Sequence, residues 1–136
     1  MNRFELRVSV EHHDSGSDFL VAGVVIDGTV FGAGEYATSL AALRSSLERD
    51  GEHFILTCSC GIPECARLDT GVFVVRAGGV VQWTVREPGP ERTYRFDAEA
   101  YRSAVERAVE QAHAMVATSR RRGRKYVHVV PHGEEF

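Results

Sequence analysis

Val72-Phe73-Val74-Val75-Arg76-Ala77-Gly78-Gly79-Val80-Val81-Gln82-Trp83-Thr84-Val85 is the stretch from which the fold can be read. Two runs rich in β-branched residues flank a diglycine, and adjacent glycines supply the positive φ angles that a type I′ or II′ hairpin turn demands. Closing a hairpin there sets Val74 opposite Trp83 and Val72 opposite Val85. Val72, Val74, Val81, Trp83 and Val85 then share one face, and that face is expected to meet the core.

Upstream, Phe4, Leu6, Val8 and Val10 alternate with Glu5, Arg7, Ser9 and Glu11, the period-two pattern of a strand with one wet side. A polar stretch from His12 to Asp18 separates it from Phe19 to Ile26, which is apolar at both parities, as in a strand covered on both faces. The pair reads as a second hairpin. Leu40, Leu43 and Leu47 recur at helical spacing and predict a helix over 37–50, with Thr38 or Ser39 as its cap and Gly51 at its end. Phe54, Leu56 and Cys58 alternate with Ile55, Thr57 and Ser59, predicting a third strand.

Downstream, Pro88-Gly89-Pro90 interrupts the pattern, and Tyr94 to Phe96 forms a short strand before Asp97, a good helix cap. Tyr101, Val105, Ala108, Val109, Ala112 and Val116 then make one apolar stripe opposite Arg102, Glu106 and Glu110, which predicts a long helix. Tyr126 to Val130 is a candidate terminal strand. The fold class is therefore α+β, an antiparallel sheet of about six strands in hairpins and a meander, with two helices packed on it. At 136 residues the chain is the size of one domain, 1–136, with 120–136 a candidate mobile segment at its C-terminal end.

Hydrophobic residues make up 43% and charged residues 26%, values that place the chain among globular proteins and exclude a disordered or fibrous one. The start of the chain, Met1 to Arg7, alternates charge with apolar residues and lacks the apolar core of a signal peptide. The longest apolar run, Phe19 to Ile26, falls well short of the ~20 residues needed to cross a bilayer. A cytoplasmic location with reduced cysteines is the expectation.

Thr57-Cys58-Ser59-Cys60-Gly61-Ile62-Pro63-Glu64-Cys65 carries all three cysteines at the spacing C-x-C-x4-C. Thiolates bind zinc well, and a turn through Gly61 and Pro63 bends the chain so that three sulfurs can converge, leaving a fourth ligand to be supplied. His53 has the wrong strand parity to join Cys58. His12 and His13, in the polar loop after the first strand, are the candidates for the fourth position. Two other readings stay open. Cys58 alone can continue the face of Phe54 and Leu56 as a small hydrophobe. Alternatively, Cys58 and Cys60 form a thiol-redox pair with Cys65 as a resolving thiol, provided a nearby cation or helix end lowers a pKa.

The formal charge of −3 is unevenly laid out, because Arg120, Arg121, Arg122, Arg124 and Lys125 cluster near the end of an otherwise acidic chain. Such a run can contact phosphate. It equally closes the long helix, where cations meet the negative end of the dipole and Gly123 is the residue after the cap. Helix closure is the favoured reading, and a nucleic-acid partner is not expected.

The cysteine segment resembles, over about ten positions, the start of a SWIM-type zinc motif. That pattern closes with Cys-x-His, whereas Cys65 is followed here by Ala66 and Arg67. A broader resemblance runs from Phe54 through Cys65, with its TCSCG-x3-C motif, to Trp83 and to Tyr94-Arg95-Phe96-Asp97 at the opening of a helix. These residues are similar to a group of uncharacterised bacterial proteins over the middle third to half of the chain. The resemblance implies a bacterial source and a compact α+β domain, and no activity. With no catalytic constellation in view, the leading expectation is a small intracellular protein-interaction domain of adaptor or immunity type, more a binding module than an enzyme, with an unidentified protein partner. A structural zinc protein centred on the cysteines and a thiol-redox protein are the alternatives.

Overall fold

A computed structural model describes residues 1–12, 16–32, 36–60, 63–124 and 126–131. In chain order the elements are β1 (Phe4–His12), β2 (Ser17–Ile26), β3 (Thr29–Val30), β4 (Ala37–Thr38), α1 (Leu40–Glu48), β5 (Gly51–His53), β6 (Leu56–Thr57), a 3-10 turn (Pro63–Ala66), β7 (Val72–Ala77), β8 (Val80–Val85), β9 (Arg92–Asp97), α2 (Ala98–Arg121) and β10 (Tyr126–Val129). The class is α+β, as expected. The strands divide among three sheets in place of one: β1-β2-β10 with β3 paired to β2, β5-β7-β8-β9, and the small pair β4-β6.

The diglycine hairpin forms with the expected register, Val74 facing Trp83 and Val72 facing Val85. Gly78 and Gly79 adopt φ of 58° and 77°, the left-handed pair that a type I′ turn requires. The inward face of β7 and β8 is sealed: Val72, Val74, Val81, Trp83 and Val85 are all buried. β1 and β2 form the other antiparallel hairpin, from Phe4 opposite Ile26 to His12 opposite Asp18. The terminal strand joins too, but β10 runs parallel to β2. A parallel partner fits the topology, because the 24-residue helix α2 carries the chain back along the sheet before β10 begins.

α2 starts at Asp97, whose carboxylate accepts from the Ala100 N–H at 2.9 Å. Its stripe of Tyr101, Val105, Ala108, Ala112 and Val116 is buried, chiefly over β1. α1 is shorter than the spacing of leucines predicted. Ala37 and Thr38 are taken by the β4-β6 pairing, so Ser39 is the cap and Leu40 the first helical residue. The helix ends at Arg49, and Gly51, with φ of 121°, instead opens β5. The Leu47 carbonyl at the end of α1 accepts from the guanidinium groups of Arg76 and Arg102, which ties this end to β7 and α2.

Of the third strand predicted over 54–59 only Leu56–Thr57 forms, as β6, and a separate strand, β5, lies just before it. β5 pairs with β7 and β6 pairs with β4, with a sharp joint at which the Ile55 N–H reaches the His53 carbonyl at 2.9 Å. The joint buries Ile55 and Leu56 together, and it leaves Phe54 only half-buried. The Ser39 N–H bonds to the Ile55 carbonyl at 2.8 Å, and the Ser39 hydroxyl accepts from Ala42 N–H at 3.0 Å, so one residue fastens α1 to the approach of β6. Ser39→Ala should cost about 1 kcal/mol, the usual loss for a helix cap, in a urea unfolding experiment.

Candidate metal centre

Leu56 and Thr57 are buried and paired to β4, so the chain enters the cysteine segment from a fixed point. Cys58 follows half-buried, and the 3-10 turn returns the chain so that Cys65 comes back beside it. Arg67 then reverses direction at φ of 60°, an uncommon conformation for a residue with a Cβ. Leu68 anchors the return in the core, being 3% exposed. Beyond it, one oxygen of the Glu87 carboxylate accepts from Asp69 N–H at 3.0 Å, Thr70 N–H at 2.8 Å and the Thr70 hydroxyl at 3.0 Å. Gly71 completes the attachment, because a Cβ there would lie 2.7 Å from the His53 carbonyl oxygen. The loop is thus pinned at both ends by groups that have no part in its chemistry.

Within it, the sulfurs of Cys58, Cys60 and Cys65 lie within 4.8 Å of one another. Three thiolates on a tetrahedral zinc, each about 2.3 Å from the metal, stand about 3.8 Å apart, so the cluster needs to tighten by no more than about 1 Å. All three are free, and Cys60 and Cys65 are exposed. The reading of Cys58 as a buried small hydrophobe meets a side chain that is only half covered.

The thiols are not equivalent. The backbone N–H of Cys60 aims at Cys58, and with the Cys60 thiol and the Ser59 side chain and backbone it lowers the Cys58 pKa against the opposing effect of burial. Cys65 is raised, first by its hydrogen bond with Cys60, then by burial and by the negative charge of Cys60 and Cys58. Cys58 ionises readily while Cys65 resists a further negative charge beside it. A bound cation reverses that resistance, because a coordinated thiol is deprotonated by the metal.

Among the described residues no other Cys, His, Asp or Glu joins the group. His12 lies elsewhere. Its Nδ1 donates to Asp18 Oδ1 at 2.7 Å, at the far end of the β1-β2 hairpin. The cysteine loop is approached instead from Leu56, against which Gly32 packs just after Phe31 bonds Val24. Val24 is about 20 Å along β2 from Asp18 at the strand rise of about 3.3 Å per residue. Among the described residues, then, the His12 ring is engaged by Asp18 and is not grouped with the three cysteines. His13 lies outside the described residues. His53 is buried and donates from Nε2 to the Arg49 carbonyl at 2.8 Å, which leaves it a structural role.

The basic run also divides. Arg120 and Arg121 occupy the last turn of α2, with Arg122 as its cap and Gly123 at φ of 73°. Arg124 turns inward, its Nε 2.7 Å from Asp18 Oδ1 and its Nη2 3.1 Å from the Ser17 carbonyl. The sequence offered no sign of that pairing, because the partners are 106 positions apart. No described helix is long and apolar enough to cross a membrane. No family model, curated protein or solved structure matches the chain.

Proposed function

We propose that the protein is a zinc-binding domain in which Cys58, Cys60 and Cys65 hold one metal ion as thiolates. The observation that carries this reading is the convergence of three sulfurs, brought from a turn and a 3-10 segment into one cluster by a loop fastened at both ends. Of the readings the sequence raises, this is the one with a defined constellation behind it. Soft sulfur ligands favour zinc over magnesium or calcium, and an ion there neutralises charge that the three thiols cannot share without it. The α+β body acts as the rigid support for the loop, and a role in binding a protein partner is compatible with that.

Metal-free protein given zinc should take up one equivalent by elemental analysis, protect its thiols from titration and melt at a higher temperature. Because binding requires thiolates, uptake should weaken as pH falls. Cys60→Ser and Cys65→Ser together should weaken zinc by more than about 100-fold, the upper range for losing groups that merely orient a ligand. Stoichiometric zinc in that double variant would overturn the proposal.

A further inference from the structure

β1 pairs with β2 along one side, and among the described strands none is paired along its other side. Which backbone groups point outward there follows from two bonds at its start. Asp27 N–H donates to the Arg3 carbonyl at 3.0 Å, on the β2 side, and Asn2 N–H donates to the Arg95 carbonyl at 2.7 Å, on the opposite side. Backbone direction alternates along a strand, so Leu6, Val8 and Val10 aim their N–H and C=O groups away from β2. Among the described residues no hydrogen bond reaches those groups.

The side chains of the same three residues pack on the core, yet each stays half-buried, so an apolar strip lies open along this edge. Edge strands are commonly kept from pairing by a bulge, a proline or an inward-facing charge. Between Phe4 and Val10 the register runs without a bulge, and the sequence has no proline and places its charges, Glu5 and Arg7, on the outer face.

We propose that this edge pairs antiparallel with the same edge of a second copy of the chain, about a two-fold axis through Ser9. One sheet, β2-β1-β1-β2, then crosses the dimer, an isologous contact made by strand addition. The charges select the register. Outward backbone groups must meet their like, so the axis has to pass through a residue. Through Val8 it sets Glu5 against Glu11, and through Arg7 it sets Arg7 against itself. Through Leu6 it brings Val10 of the second copy to Asn2, where Arg95 is already bonded. Through Ser9 it sets Arg7 against Glu11 on both sides of the axis, and Val8 against Val10. Arg7 and Glu11 then face each other as a pair without backbone hydrogen bonds, the kind whose side chains approach most closely. Both are exposed, and the one ion pair of Arg7, to Glu5 at 3.4 Å, is a surface contact of the kind worth little.

The inference is independent of the metal, and its test is sedimentation equilibrium on the full chain. A single strand pair makes a small interface, so the average mass should rise from one chain towards two between about 1 and 300 µM. Arg7→Glu and Glu11→Arg should each weaken the dimer about tenfold or more, because attraction becomes repulsion at two symmetric places. Carried together, the two reversals should restore it to within about threefold of the parent. Circular dichroism and thermal unfolding show whether each variant is folded. Salt supplies a reading that needs no variant: raising sodium chloride from about 0.05 to 0.5 M should weaken the parent dimer, since exposed pairs are screened. A parent that stays monomeric at about 300 µM overturns the proposal and leaves the edge to a strand from another protein. A dimer that ignores salt, withstands the single reversals or is not restored by the double one overturns it too.

Discussion

Trp83→Ala should cost roughly 3–5 kcal/mol of folding stability, among the largest losses any single side-chain truncation in this chain will produce. Trp83 is fully buried and stands at the centre of an aromatic cluster. Phe4, Phe31, Phe96 and Tyr101 surround it with ring centroids at 5.7, 5.5, 5.1 and 6.0 Å, edge-on or tilted to its plane. Those separations lie in the favourable range for aromatic pairs, which adds to the apolar area removed from water. The four rings come from β1, the turn after β3, β9 and α2, so they cannot collapse together into the space an alanine leaves. The same placement fixes the spectroscopy. As the chain's one tryptophan, Trp83 should emit at short wavelength in the native protein and shift to longer wavelength on unfolding. A native maximum typical of water, or an alanine variant as stable as the parent in urea, would contradict the register of the β7-β8 hairpin.

Reading ahead from sequence worked where a feature is local and failed where a distant partner decides. The diglycine turn, the alternation of β1 and the stripe of α2 are each determined within a dozen or so residues, and each forms as read. Residues 54–59 alternate as a strand does, yet only Leu56 and Thr57 pair, with β4, while β7 takes Gly51–His53 just before them. Nothing near Ile55 announces two different partners. The start of α1 was misplaced for the same reason: Ala37 and Thr38 suit a helix locally and are claimed by β6.

The site divides in the same way. That three cysteines meet follows from C-x-C-x4-C and a turn between them, so it was accessible from spacing alone. Which histidine lies near them depends on how the β1-β2 hairpin is set against the loop, and residue type does not record that. Arg67 and Glu87 gave no signal either. Their importance comes from a left-handed backbone angle and from hydrogen bonds to residues 17 and 18 positions away, and neither is written in residue type.

Asp18 is where a second large effect is expected. The carboxylate is buried between the β1-β2 hairpin and the end of α2, with Arg124 at 2.7 Å and His12 at 2.7 Å on the same oxygen. Burial pushes its pKa up, but hydrogen bonds from Ser119, His12 and Arg124 and the Arg124 charge outweigh this and hold it at about 2, below the ordinary 3.8. A depressed carboxyl pKa stabilises the fold above the unfolded value, and that contribution is lost as pH falls through the folded one. The loss should therefore run from about 3.8 down to about 2. Asp18→Asn preserves the shape and removes the charge, so it should melt lower at neutral pH and lose the part of the acid sensitivity that falls in this window. Arg124→Gln should be as damaging or more so, since it leaves a buried carboxylate short of its cation. Combining the two should cost less than the sum of the single changes, because each removes the same pair. The effect should also survive added salt, which screens buried pairs poorly. Thermal unfolding of the parent and the three variants, measured from neutral pH down to about 2, decides the matter. Strict additivity, or a parent protein whose stability stays flat across that window, would show that the Asp18–Arg124 pair does not fasten α2 and β10 to the hairpin.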